Sequence, residues 1–139
     1  MTVNAAGYGA AAVLGALSAL HLYWAIGGRW GRSAAVPTTM ENRSVLAPSR
    51  AATLVVAALL ATSAAIVVGG VRGWDPRLVF RLGCAGIAVV LLARSLGDRR
   101  YIGFFKRVGD TQFARRDTWL YSPVCLVLAV VTSVVAAVR

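Results

Sequence analysis

Seven side chains in this sequence have the type and the placement to do chemistry: His21, Trp24, Arg94, Asp98, Asp117, Tyr121 and Ser122. His21 is the only histidine. Imidazole is the side chain that titrates nearest neutrality, so beside a carboxylate such as Asp117 it is the group to move a proton. Tyr121 adds a phenol that donates or accepts. His21, Asp117 and Tyr121 are therefore the candidate catalytic residues. Arg94 is the candidate contact for an anion. The same seven residues are the candidates for binding a lipid-like ligand without transforming it. A third reading is structural: a network that pins the first helix to the last one and to the loop before it.

The elements that must position these residues are legible from hydropathy. The chain has 139 residues, of which 58% are hydrophobic, above the roughly 45–50% of soluble domains. The apolar residues fall into four runs, about 5–26, 51–71, 77–96 and 119–138, and none of them holds an acidic residue. Each is close to the ~20 residues that cross ~30 Å of hydrocarbon. A backbone in lipid must satisfy its own hydrogen bonds, so the runs are helices. No run has the polar face that a soluble amphipathic helix needs. The fold class is all-α membrane: a bundle of four transmembrane helices forming one domain over 1–139. Two long interfacial loops, loop 1 (27–50) and loop 3 (97–118), lie on the same side.

Charge sets the orientation. The formal net charge is +10, from 15 basic and 5 acidic residues. A nucleic-acid partner is not the reading, because the basic residues sit in the connections between apolar runs. Eleven of the fifteen belong to loops 1 and 3 or their borders, and four to the other side. The positive-inside rule places loops 1 and 3 in the cytoplasm and both termini outside, in a bacterial plasma membrane. Fourteen of the fifteen are Arg, the bias of a high-G+C genome. The first run has no basic flank and is longer than a signal-peptide core, so it reads as a retained helix.

Local signals fill in the picture. Gly7, Ala11 and Gly15 form a small-residue stripe that lets a second helix approach, or that reflects composition alone. Trp30, beside Arg29 and Arg32, lays loop 1 on the interface. Pro48-Ser49 opens the second helix. Asp75-Pro76 reads as N-cap and first position of the third helix. Tyr101, Phe104, Phe105 and Val108 fall at helical spacing, which predicts a short helix in the headgroup plane with Lys106 turned away from the apolar stripe. Ser122-Pro123 reads as an N-cap and first-turn proline, so the last helix starts at Pro123, or at Asp117 with a kink at Pro123. Cys84 and Cys125 enter from opposite faces, about 10 Å apart in depth. That exceeds the ~7 Å Cα limit for a disulfide.

The four-run topology carries His21, Arg94, Asp98, Asp117, Tyr121 and Ser122 to one boundary. His21 sits about 8 Å below it, where an ionisable group needs a partner. Asp117 or Tyr121 is the expected partner. No cofactor is expected. Haem would want a second axial ligand, and a metal would want more than one histidine with one or two carboxylates. A proton-coupled exporter would carry an acid in mid-span. Gly27-Gly28 lacks any nucleotide-binding context.

H-x-Y-W-A-x-G-G (His21–Gly28), R-x-x-G-D (Arg94–Asp98) and F-A-x-x-D-T-x-x-Y-S-P-x-C-L (Phe113–Leu126) resemble a family of small bacterial four-span membrane proteins. That family is classed as a domain of unknown function. The resemblance implies the four-helix membrane fold and no activity. The expected function is non-enzymatic: binding a lipid-like ligand or a membrane partner at the capped end. Membrane lipids, anionic headgroups among them, are the expected partners. The alternative is a small membrane enzyme acting on a lipid-like or quinone-like substrate through a His21/Asp117 acid–base pair.

Overall fold

The computed structural model describes residues 2–41, 43–45 and 47–139. Its helices are α1 (Val3–Ala25), α2 (Arg32–Ala35), α3 (Arg50–Arg72), α4 (Arg77–Leu96), α5 (Gln112–Arg116) and α6 (Ser122–Val138). A π-helical turn, Asp117–Tyr121, joins α5 to α6, so Gln112–Val138 is one unbroken helix. Among the described residues, four helices are long and apolar enough to cross a membrane: α1, α3, α4 and Gln112–Val138. The chain is a multi-pass membrane protein. Among the described residues there are no strands, and loop 1 holds one isolated antiparallel bridge, Thr38 with Ser44.

Short polar residues start the helices. The Thr2 and Ser49 hydroxyls accept from the Ala5 and Ala52 amides at the beginnings of α1 and α3, answering two of the orphan donors there. At α4 the structure departs from expectation: Pro76 takes the N-cap position, and Asp75 does not cap the helix.

The spanning helices pack mainly as two pairs, α1 on α3 and α4 on α6, with α3 also touching α4. The apolar core is formed by Ala10, Ala11, Leu14, Val67, Val71, Cys84, Leu128 and Val135. These residues come from the half that holds the termini and the α3–α4 connection. Gly7 lets Val71 and Val135 lie directly against the α1 backbone, the close approach expected of a small residue. Gly15 faces open space instead. Outward faces carry Leu59, Leu78, Leu82, Val89, Val90 and Val127, all exposed, as a surface in contact with acyl chains requires.

The opposite half is more polar. Its buried side chains include Ser18, Thr53, Ser95, Asp117 and Ser122. Ser18 spans the first pair, donating to the Ala57 carbonyl at 2.7 Å. Thr53 bonds back to Ser49 within its own helix. Loops 1 and 3 meet at this end, where α2 packs on α5. At the other end Arg139 donates to Asn4, which brings the chain termini together.

Loop 3 does not form the short helix that its apolar spacing predicts. Residues 97–111 are turns and bends. Two carboxylates explain the difference. Asp98 and Asp117 together accept the backbone N–H groups of residues 100–103, and Lys106 turns inward. Amides captured by side chains are not available to a helical ladder.

Candidate functional site

The site begins where α4 stops. Gly97 has φ +80° and ends the helix. The next residue, Asp98, directs Oδ1 at three successive amides, Arg100 at 2.9 Å, Tyr101 at 2.8 Å and Ile102 at 3.0 Å. Asp98 is exposed, and the slight desolvation it meets would by itself raise its carboxyl. The three donors outweigh that and hold it below the usual carboxylate range. The loop then returns against the helix end. Gly103, with φ +88°, lies so close to Gly97 that a Cβ on either would collide with the opposing backbone at Leu96 or Ile102. Phe104 N–H donates to the Ser95 carbonyl at 2.9 Å, using one of the last carbonyls of α4.

This fold-back brings the Gly103 amide and Lys106 to Asp117, which is fully buried and also meets Arg94 from the last turn of α4. Arg94 Nη2 donates to Oδ1 at 2.8 Å. Gly103 N–H and Lys106 Nζ donate to Oδ2 at 2.7 Å and 3.0 Å. The Lys106 side chain is only 4% exposed. Its ammonium also donates to the Gly103 carbonyl at 2.9 Å and to Thr118 Oγ1 at 2.6 Å. An ammonium has three donors, and all three are used. The cluster therefore sets two cations against one carboxylate. Arg94 is one-third exposed along its side chain. Its Nη1 is buried and has no hydrogen-bond partner among the described residues, and the same is true of Ser122 Oγ.

Pro123 explains why the last helix widens here. It has no N–H to give to the carbonyl four residues back, and its ring crowds that carbonyl. The turn Asp117–Tyr121 is π-helical, and the Ser122 amide donates to the Asp117 carbonyl. The helix thus runs through Pro123 without breaking. It starts at Gln112, capped by Thr111 Oγ1 on the Ala114 amide, not at Asp117 or Pro123. Ser122 is consequently not an N-cap but a buried residue inside the helix. Tyr121 packs on Phe113 with ring centroids 6.0 Å apart. Its hydroxyl donates to the Ala34 carbonyl at 3.1 Å, fastening α2 and loop 1 to the last helix.

His21 and Trp24 form a separate corner. His21 Nδ1 contacts the Leu17 carbonyl at 2.7 Å. A carbonyl only accepts, so the contact assigns the proton to Nδ1 and leaves Nε2 bare in the neutral ring. Trp24 meets the imidazole edge-on at 5.1 Å, and its Nε1 donates to the Trp30 carbonyl at 2.8 Å. The Trp30 amide in turn approaches the Tyr23 hydroxyl. These bonds fold loop 1 back over the end of α1. The expected hydrogen bond from His21 to Asp117 or Tyr121 is not formed. Both Asp117 oxygens are engaged by Arg94, Gly103 and Lys106, and the Tyr121 hydroxyl is spent on Ala34.

Of the seven sequence candidates, the structure joins Arg94 and Asp117 directly. It places Asp98 as the organiser of the loop above them, and Tyr121 and Ser122 one turn along the same helix. It leaves His21 with Trp24. Lys106, which the apolar spacing of loop 3 predicts on the outer face of a short helix, is instead central. One signal pointed to it: it is the single lysine beside fourteen arginines. Three convergent acceptors suit a compact ammonium with three donors better than a planar guanidinium.

Among the described residues no group of three or more His, Cys, Asp or Glu is placed to hold a metal ion. The chain belongs to the family described as protein of unknown function (DUF3995), whose sequence model matches residues 14–132. The matched region contains the whole Arg94–Lys106–Asp117 cluster and the His21–Trp24 corner. Comparison with curated proteins and with solved structures gives no match.

Proposed function

We propose that this protein is a non-enzymatic membrane protein that binds an anionic, lipid-like ligand at the end formed by loops 1 and 3, with Arg94 as the headgroup contact. The observation that carries the reading is Arg94 Nη1: a guanidinium nitrogen buried without an acceptor, on a side chain one-third exposed. Leaving a buried donor unmet costs about 1–3 kcal/mol, and more for a charged group. A phosphate or carboxylate oxygen removes that cost and matches the guanidinium fork. Asp117 takes the other arm of the same guanidinium and holds it in place, which is a positioning role. Trp24 and His21, with Nε2 free, are a second polar station at this end. The eleven basic residues of the two loops draw anionic lipid toward it. The same bias supports a reading in which this end faces the cytoplasm of a bacterial plasma membrane, with the termini outside.

Native mass spectrometry of the full chain, released from mild detergent, tests the reading. Wild type should retain an anionic phospholipid that Arg94→Gln loses. Lys106→Met, which weakens the same cluster but keeps the guanidinium, should retain it. If Arg94→Gln and His21→Ala both keep the lipid and lose only thermal stability, the cluster is structural and the binding reading fails.

A further inference from the structure

A second site lies at the opposite end, on the outer face of the α1/α3 pair. Ala11 and Ala12 of α1 and Ala64 and Ala65 of α3 form the floor of a groove of about 430 Å³, and Tyr8 and Trp74 wall its outer end. Four methyl groups side by side leave a depression where larger side chains would fill the seam between the helices. Its depth along the membrane is set by the helix: Ala64 lies about 12 Å below Arg72 at 1.5 Å of rise per residue. That is close to one leaflet, about half of the ~30 Å of hydrocarbon. The interior is almost wholly apolar.

The wall at the mouth is built rather than incidental. Gly73, in the left-handed region at φ +66°, ends α3. The Trp74 amide then donates back to the Gly69 carbonyl at 3.0 Å, the arrangement of a Schellman stop. The indole edge meets Phe80 with ring centroids 5.9 Å apart. The Phe80 ring lies directly on Gly69, where a Cβ would collide with it. The Arg72 guanidinium lies 5.7 Å from the Trp74 ring centroid. Arg72 is exposed and makes no ion pair among the described residues. Asp75, in the same connection, does not pair with it.

We infer that this groove holds one acyl chain of an anionic phospholipid, with Arg72 on the phosphate and Trp74 at the headgroup level. Charge complementarity decides the occupant. The apolar floor accepts any chain, but Arg72, stacked on the Trp74 that walls the mouth and making no ion pair among the described residues, selects a negative headgroup. Tryptophan is the residue type that settles where the chain ends and the headgroup begins. The site is independent of Arg94, which belongs to the other end.

The test is a lipid titration of the delipidated full-length protein, read by native mass spectrometry, with phosphatidylglycerol and phosphatidylcholine as probes. One arginine at a lipid surface is worth about five-fold in affinity. Wild type is expected to bind phosphatidylglycerol about five-fold more tightly than phosphatidylcholine at this site. Arg72→Gln should bring the two within about two-fold. Ala65→Phe, which fills the groove from an exposed position, should remove one bound lipid of either kind. Arg94→Gln should leave this site unchanged, so loss here and loss at the other end are separately visible. The inference is overturned if Ala65→Phe keeps the lipid or Arg72→Gln keeps the preference. It is also overturned if wild type shows a two-chain mass that Ala65→Phe abolishes, which would make a second copy the occupant.

Discussion

Replacing Lys106 by methionine should destabilise the protein by about 3–5 kcal/mol, the range for removing one partner of a buried ion pair. The substitution keeps an unbranched, flexible side chain one atom shorter and removes three donors. Asp117 loses its 3.0 Å contact, and the Gly103 carbonyl and Thr118 hydroxyl lose bonds of 2.9 Å and 2.6 Å. Hydrogen bonds to charged groups are worth about 1.5–3 kcal/mol each. The full sum is not expected, because Arg94 and the Gly103 amide still hold the carboxylate. Lys106→Arg is the sharper variant. It keeps the charge yet should lose about 1–3 kcal/mol, since surplus guanidinium donors would be buried unmet in a site that is 4% exposed. The assay is equilibrium unfolding in mixed detergent micelles, followed by tryptophan fluorescence. A Lys106→Met variant within about 1 kcal/mol of wild type would refute the claim that the ammonium closes loop 3.

Gly103→Ala should cost at least as much as Lys106→Met. It combines a left-handed backbone with a Cβ that meets the Leu96 backbone, and thermal unfolding beside the mild Gly109→Ala control, whose added Cβ meets nothing, would show it. Tyr121→Phe removes the bond to Ala34 and should cost about 1 kcal/mol, seen as faster amide exchange across Arg32–Ala35 with little change in the spanning helices. Asp98 sets a pH dependence. Its carboxyl is held below the usual range, so its contribution is complete above the unfolded value of about 3.9 and is lost as pH falls through the lower folded value. The stability gap between wild type and Asp98→Ala should be constant near neutrality and narrow below about pH 4. A gap that widens on acidification would reverse the sign of the argument.

Hydropathy and length made the four spans legible, because lipid leaves a backbone no alternative to a helix. Topology also brought His21, Arg94, Asp98 and Asp117 to one end. It could not say which of them touch. Depth along a helix follows from residue number, but the direction a side chain faces around the bundle depends on how the helices pack. Asp117 met Arg94, Lys106 and Gly103, and none of its oxygens was left for His21. Loop 3 departs from its helical spacing for the same reason. Tyr101, Phe104, Phe105 and Val108 have helical spacing, yet Asp98 and Asp117 take the amides such a helix would need, and Asp117 does so from fourteen residues away. The π turn was foreshadowed by Pro123, whose missing donor had to be accommodated somewhere. Ser122-Pro123 suggested a helix start only because a buried, unbroken widening leaves no separate mark in sequence.

The central claim is that Asp117 is locked by Arg94 and Lys106 and is not a proton partner of His21. Double-mutant cycles measured by equilibrium unfolding test it directly. Asp117→Asn combined with Lys106→Met or with Arg94→Gln should show coupling of about 1 kcal/mol or more, and Asp117→Asn combined with His21→Ala should be additive within about 0.5 kcal/mol. Strong coupling to His21 with none to Lys106 would contradict the account.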